Sequence, residues 1–532
     1  MDKASEMAKS SARGGFKIFI GVSISSVVTA VSLIAILRLL ANPDDYGIIA
    51  TAMIFPSMLS LFKDWGTNSA MVKFLAQYKT ENETGNIKNV LITGMLFEII
   101  MGVFLTLLCF LLADFLATSV FHRAEVKVLI EVASLTILAD SFLKVSQSTF
   151  IGLERLEFHS LTLILNSVMR CLLAPLLVAL EFGVMGAIQG QIIAQVTAGL
   201  VGMIFFYHSF LRKYKEPLNK IALKRTLKTL LKYGVPLSVS AVITGFLPQF
   251  YNTVLTQTFS ATNNSYTTAL GNFQAALNFT VLITFFTVPI ATVLFPAFSK
   301  LKAKEEKETL RAVFTTSVKY GALLTIPVTL MMMVLAEPII FAVVGTEYTD
   351  APFFLSIYNI LYLYVGIGNL SVGSFLNGQG KTQVTMKMAF ITLGMGLLFG
   401  WTLISQFGVI GLIATSLIAV LPSLIYGLWW LQKNFGATVE WVSSAKILLA
   451  SVIATGFTYL LLAPLNFAYW IEMIVGGMAF LGIYLITAPL IQAVDKTDIT
   501  RLRQMLSGLG PFSYVFNIPL EIMEKLSGIF KS

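Results

Sequence analysis

Eight ionisable side chains stand where ionisable side chains are expensive. Arg38, Lys63, Asp64, Glu98, Asp140, Lys144, Arg170 and Lys319 all fall within or at the ends of long apolar runs. A charge at the centre of a membrane helix costs about 2.5–3.5 kcal/mol on insertion scales, so each of these needs a partner or an aqueous cavity. Arg38, Lys63, Arg170 and Lys319 are candidate binders of an anionic group such as a phosphate, which a guanidinium meets with a planar fork of donors and an ammonium meets as a point charge. Asp64, Glu98, Asp140 and Lys144 are candidates for charge pairing or for coupling to an ion. The second repeat relies instead on neutral polar groups, Gln274 among them, of which Gln249, Asn252, Asn272, Asn278, Tyr358 and Asn359 are candidate cavity-lining residues.

Depth along the chain predicts two pairings. Asp140 and Arg170 each lie fifteen residues from Arg155, at the turn between two apolar runs, and Lys63 and Glu98 are similarly placed about the turn near Glu81 and Asn82. Each pair either serves substrate handling or neutralises itself to permit burial. His122, His159 and His208 lie near loops without a second ligand or a base partner at useful spacing, and no metal-ligand cluster is present in the sequence.

These residues are embedded in a chain of 532 residues that is 56% apolar and 12% charged, against about 25% charged in an ordinary soluble domain. Runs near twenty residues recur from end to end, each long enough to cross a hydrocarbon core of about 30 Å as a helix. The pattern predicts an all-α polytopic membrane protein with fourteen spans, at 16–40, 46–75, 89–113, 127–150, 159–181, 184–210, 233–259, 266–298, 312–335, 352–376, 384–405, 408–431, 443–465 and 468–491. The stretch Met1 to Lys17 is polar and basic, and the run after it reads as a retained first span rather than a signal peptide. Most Lys and Arg then fall on one face, with Arg123 and Lys127 in outer loops, so both termini are expected in the cytoplasm. The net charge of +9 is accordingly a matter of topology, and no nucleic-acid partner is expected. Cys109 and Cys171 both sit in apolar runs as packing residues.

An internal repeat organises the spans. Glu181-Phe182-Gly183-Val184-Met185-Gly186 is echoed 225 residues later by Gln406-Phe407-Gly408-Val409-Ile410-Gly411, each followed by an apolar run. Ser148-Thr149-Phe150-Ile151 and Gly373-Ser374-Phe375-Leu376 lie at the same offset, followed by Gly152 and Arg155 in one copy and Gly378 and Lys381 in the other. An even number of helices per copy gives both copies one orientation, related by a pseudo-two-fold axis along the membrane normal, as in transporters that alternate access between two bundles. The predicted organisation is a six-helix lobe at 1–210, a basic cytoplasmic linker at 211–232, a second six-helix lobe at 233–436, two further spans within 437–494, and an amphipathic cytoplasmic tail at 495–532. The linker's basic residues read as a topology anchor in preference to a site for anionic lipid headgroups.

The first outer turn, Arg38-Leu39-Leu40-Ala41-Asn42-Pro43-Asp44-Asp45-Tyr46-Gly47, and Asp64-Trp65-Gly66 in the second span resemble the turn and the D-x-G of the polysaccharide-biosynthesis flippases, a family of the multidrug/oligosaccharidyl-lipid/polysaccharide exporter superfamily. The resemblance implies movement of a polyprenyl-(di)phosphate-linked oligosaccharide from the cytoplasmic to the outer leaflet of the cell membrane, for cell-surface polysaccharide or glycoprotein assembly. It implies membrane lipids as surroundings, with glycosyltransferases or a polymerase of the same pathway as further candidate partners. No cofactor is expected, and a coupling ion, H+ or Na+, is left open; many relatives carry an Asp in the seventh helix, where this chain has Asn252. Two alternatives stand beside this reading: a cation-coupled drug or metabolite exporter of the same superfamily, and a membrane glycan polymerase or acyltransferase, which the short outer loops disfavour.

Overall fold

The computed structural model describes residues 3–209, 212, 220–260, 266–299, 301, 306–464, 467–494, 498–500, 521 and 524. Among them the regular structure is helical throughout. Among the described residues, seven helices are long and apolar enough to cross a membrane, and an eighth is gained if a bent pair counts as one span. Two of the seven, Leu156–His208 and Thr382–Phe435, each carry two predicted spans, and the other predicted spans are also carried by helices, three of them interrupted. Leucines such as Leu111 and Leu398 stand 77% and 63% exposed, which in water would be a liability and in lipid is the ordinary outer surface of a bundle.

The chain divides into two units, Met1–Gly271 and Asn272–Ser532. The first holds α1 (Lys3–Leu40), α2 (Pro43–Ser60), α3 (Thr67–Thr80), α4 (Thr84–Phe115), α5 (Val126–Gly152), α6 (Leu156–Leu177), α7 (Gly183–Ser209), α8 (Lys220–Ser260) and the start of α9 (Tyr266–Phe279). The seventh predicted span, carried by α8, thus packs with the first six, against α2, α3 and α4. Local chemistry sets the boundaries. Pro43 opens α2, Asn42 accepts the Asp44 N–H at 3.0 Å, and Asp44 and Asp45 occupy the first turn, where the helix dipole favours acids.

The second unit runs through α10 (Val281–Ser299), α11 (Lys307–Val334), α12 (Ala336–Val343), α13 (Ala351–Tyr358), α14 (Ile360–Leu363), α15 (Asn369–Gly378), α16 (Thr382–Phe435), α17 (Trp441–Leu462) and α18 (Tyr469–Leu490). One apolar cluster joins α11 to α17 and α18 through Leu323, Ile326, Ile447, Ala454 and Phe480. Another joins α10, α11, α15 and α16 through Phe298, Phe314, Phe375 and Phe435.

The repeat is visible in the backbone. Gly183 adopts φ 51°, ψ −133° and Gly408 φ 58°, ψ −131°, a conformation essentially closed to residues with a Cβ, and each marks the reversal between two antiparallel helical segments. A Cβ on Gly186 would lie 2.8 Å from the Leu177 carbonyl carbon, and one on Gly411 2.0 Å from the Leu403 oxygen, so the second glycine of each copy lets the returning segment close on the first. The turn after Gly152 also recurs: Arg155 N–H donates to Phe150 O at 2.7 Å, as Lys381 N–H does to Leu376 O at 2.7 Å, with Glu154 and Gly380 both left-handed between them. These bonds set Phe150 opposite Leu376, one residue away from the sequence alignment that placed Phe150 opposite Phe375. Backbone geometry, not the shared phenylalanine, fixes the register there.

Three predicted spans are broken rather than continuous. Span 46–75 is interrupted between Ser60 and Thr67, span 266–298 at Thr280, and span 352–376 at Gly368, where the two arms bend by 52°. The proposed tail falls almost wholly outside the described residues, apart from the helical residues Asp498–Thr500 and from Glu521 and Glu524.

Candidate functional site

The first of these breaks builds the site. After Ser60 the chain tightens: Phe62 N–H reaches back to Leu59 O at 2.9 Å and Lys63 N–H to Ser60 O at 3.4 Å. Trp65 and Gly66 then both adopt left-handed backbone, at φ 47° and 75°. The Asp64 carboxylate accepts the Gly66 N–H, while its carbonyl accepts Thr67 N–H at 2.8 Å and the Thr67 hydroxyl at 2.7 Å, an Asx-type closure that restarts the helix. A Cβ on Gly66 would stand 2.1 Å from the carbonyl oxygen of Gly234 on α8. The D-x-G stretch therefore has a physical account: Asp caps, the central residue turns, and Gly admits the backbone of α8.

The break aims charge into the bundle. Lys63 is 3% exposed and its ammonium is shared between Asp140 on α5, with which it hydrogen-bonds, and Glu98 on α4, at 3.7 Å. Glu98 is fully buried. Asn68, the second residue of α3, donates to Asp64 at 3.0 Å and to Glu98 at 3.3 Å, and its own oxygen accepts the Ser148 hydroxyl at 3.0 Å. Beside this network lies a cavity of about 250 Å³ whose polar lining includes Lys63, Asp64, Asn68, Asp140, Lys144 and Ser238. Unwound backbone at membrane depth is tolerated where it is buried in protein or borders such a cavity.

The expected Lys63–Glu98 pair is therefore present, and the expected Asp140–Arg170 pair is not: Asp140 turns to Lys63. Equal depth on neighbouring helices does not fix which way a side chain faces. Asp140 looks from α5 toward the α2–α3 break, whereas α6 packs against α1 and α7, with Ser32 of α1 donating to the Arg170 carbonyl at 3.2 Å. Arg170 is partly buried, has Tyr46 as an electrostatic neighbour, and makes no ion pair with an acid among the described residues. Arg38 occupies the exposed last turn of α1, and Lys144 is exposed at the cavity.

Lys319 is not a spare cation. Its ammonium meets Asp498 at 2.7 Å, and Asp498, 5% exposed, also accepts from the Tyr320 hydroxyl at 3.3 Å. The neutral candidates divide. Asn272 is buried, and its amide oxygen receives the Asp350 and Ala351 N–H groups, both at 3.2 Å, at the start of α13; it is a structural cap rather than a cavity residue. Asn278 donates to Gln274 O at 2.7 Å, Tyr358 stacks edge-on with Phe273, and Gln249 and Asn252 lie partly buried and buried on α8. Asn359, at the junction of α13 and α14, is fully buried with neither amide atom hydrogen-bonded among the described residues.

Sequence reasoning missed Asn68, Ser148 and Asp498. The spacing of Asn68, four residues after Asp64 on a helix, was the available signal for the first. It also missed a polar latch in the first unit. Arg123 lies 3.8 Å from Asp44, donates to the Thr267 hydroxyl at 3.1 Å and sits over the Tyr266 ring, while Thr267 bonds Asp44. There the starts of α2 and α9 cross reciprocally: a Cβ on Gly47 would meet Thr267 O at 1.8 Å, and one on Gly271 would meet Pro43 O at 1.8 Å.

Broken helices, an internal repeat and a charged interior define a polytopic, all-helical membrane fold. It is matched by the lipid II flippase MurJ in an inward closed conformation, with a TM-score of 0.71 at 16% identity, covering 89% of this chain and 98% of that one. An inward-facing multidrug resistance transporter of the MATE family, in the MOP superfamily, gives 0.62 at 17% identity, covering 79% and 98%. At these identities the likeness is one of fold. In sequence, the polysaccharide biosynthesis protein family matches residues 35–352, and the chain belongs to that family. An uncharacterized membrane protein of Methanocaldococcus jannaschii is 21% identical over 462 residues, 83% of this chain and 88% of that protein. The probable low-salt glycan biosynthesis flippase Agl15 of Haloferax volcanii is 22% identical over 307 residues, 56% of this chain and 63% of its own length.

Proposed function

We propose that this protein is a flippase that carries a polyprenyl-(di)phosphate-linked oligosaccharide from the cytoplasmic to the outer leaflet of the cell membrane by alternating access, with both termini in the cytoplasm. The observation that carries the reading is membership of the polysaccharide biosynthesis family by a chain with the fold of a lipid II flippase. The charge arrangement refines it. Lys63 and Lys319 are engaged by carboxylates, so the phosphate falls to Arg170, with exposed Lys144 beside the cavity. The hydroxyl, amide and carboxylate groups of Ser238, Asn68 and Asp64 are suited to sugar hydroxyls.

A second reading, a cation-coupled exporter, draws support from one observation: around the cavity Asp64, Glu98 and Asp140 outnumber Lys63 and Lys144. Proteoliposomes carrying a labelled polyprenyl-diphospho-sugar decide between them. Protein-dependent movement of the unmodified lipid to the far leaflet is expected. No movement, together with extrusion of a cationic drug, would favour the exporter, and covalent change of the sugar lipid would favour an enzyme.

A further inference from the structure

We propose that Lys63, Glu98 and Asp140 form a proton-exchange site in which Glu98 is the carboxyl that takes up and releases the proton. The proposal deepens the transporter reading and rests on it for what the proton drives. One ammonium lies between two carboxylates, with Lys63 and Glu98 essentially removed from solvent. Fully ionised, the triad carries one uncompensated negative charge in a low-dielectric bundle; with one carboxyl protonated it is neutral, and neutrality is what such surroundings favour.

Geometry selects Glu98 over Asp140. The Asp140 carboxylate is hydrogen-bonded by Lys63 and partly open to the cavity. Glu98 Oε2 accepts from Asn68, but Oε1 is buried, lies 3.7 Å from the Lys63 ammonium, and accepts no hydrogen bond among the described residues. A buried carboxyl oxygen without a donor is the position at which an acid proton is tolerated. The groups facing it are accounted for element by element: Lys63 and Asp64 from the break, Asn68 from α3, Asp140 from α5. Lys144 of α5 lines the adjoining cavity, to which α8 contributes Ser238, Ala241 and Val242, none of them titratable.

The proton has a route and a consequence. Lys63, Asp64 and Asp140 both border the cavity and neighbour Glu98, so exchange passes through the shared Lys63. Uptake adds one proton to a carboxylate and requires no other reactant. It weakens the claim of Glu98 on Lys63 and on Asn68, leaving Lys63 to Asp140 and Asn68 to Asp64. Asp64 is the residue whose carboxylate closes the turn at Gly66, so the occupancy of Glu98 biases the helix break itself.

Infrared difference spectroscopy of the full protein in lipid, titrated with pH, reads the site without any substrate. A carboxylic acid C=O band that grows as pH falls is expected in the wild type, absent in Glu98→Gln and shifted in Glu98→Asp. Glu98→Gln leaves Lys63 with Asp140 as a neutral pair, so folding is retained, as circular dichroism would confirm. A titrating band that survives unchanged in Glu98→Gln, or that disappears only in Asp140→Asn, overturns the assignment. In proteoliposomes an imposed pH gradient should change the wild-type transport rate and leave that of Glu98→Gln unaffected; equal gradient dependence in both overturns the coupling. A wild type that shows the band but moves no lipid-linked sugar defeats the flippase reading and leaves the proton site standing.

Discussion

Replacing Lys63 by Met removes the one cation between Glu98 and Asp140 while keeping most of the volume of its aliphatic stem. Breaking a buried ion pair by deleting one partner costs about 3–5 kcal/mol, because a charge is stranded rather than because a contact is lost. Here the stranded charge is chiefly Glu98, which is fully buried, since the Asp140 side chain is 23% exposed and can draw on the cavity. Glu98 has one escape, which is to take a proton, and that becomes about 1.4 kcal/mol cheaper for each unit by which pH falls. Lys63→Met should therefore be destabilised by about 3–5 kcal/mol near neutral pH and recover about 1.4 kcal/mol of it per pH unit of acidification. The Lys63→Met/Glu98→Gln double variant should recover most of the loss at any pH. Unfolding in mixed micelles followed by circular dichroism measures all three. A loss that is the same at both ends of the pH range, or a double variant no better than the single one, would show that the cluster is not a desolvated charge triad.

Other expectations follow from the same geometry. Gly66→Ala forces a Cβ toward the Gly234 carbonyl in a left-handed residue, which should cost about 1–3 kcal/mol in backbone strain alone and abolish transport, read as loss of stability in micelles and of flux in proteoliposomes. Gly183→Ala meets no atom within 4 Å, so it should show only the strain, about 1–3 kcal/mol, whereas Gly411→Ala, with the Leu403 carbonyl 2.0 Å away, should lose more; thermal unfolding separates them. Arg170→Ala should lose transport of a phosphate-bearing lipid while membrane expression persists, and full activity in that variant would remove Arg170 from the substrate path. Lys319→Met should destabilise the second unit more than Asp498→Asn, because it strands a carboxylate that is 5% exposed, a difference that limited proteolysis would register.

Helix positions were legible because the bilayer imposes a length and a composition that a single sequence displays. The repeat was legible for a related reason: Gly183 and Gly408 occupy a backbone conformation that glycine alone supplies, so both copies had to retain it. Hydropathy could not reveal the break after Ser60, since Leu61 and Phe62 are as apolar as a continuous helix would require, although the backbone tightens there and then turns at the left-handed residues Trp65 and Gly66. The pairing of charges was half legible. Depth brought Lys63 to Glu98, but the direction of Asp140 around its helix axis sent it to Lys63 and not to Arg170.

The amino-acid sequence by itself determined that this is a duplicated, all-helical membrane protein with costly charges concentrated in its first half, because solvent, span length and backbone chemistry act locally on each run. Which charges are satisfied was decided only by tertiary structure. Lys63 finds Asp140 from seventy-seven residues away, and Lys319 finds Asp498 beyond the last span. A salt bridge requires two side chains to meet in three dimensions, and the packing of α5 against the α2–α3 break and of α18 against α11 supplies that meeting.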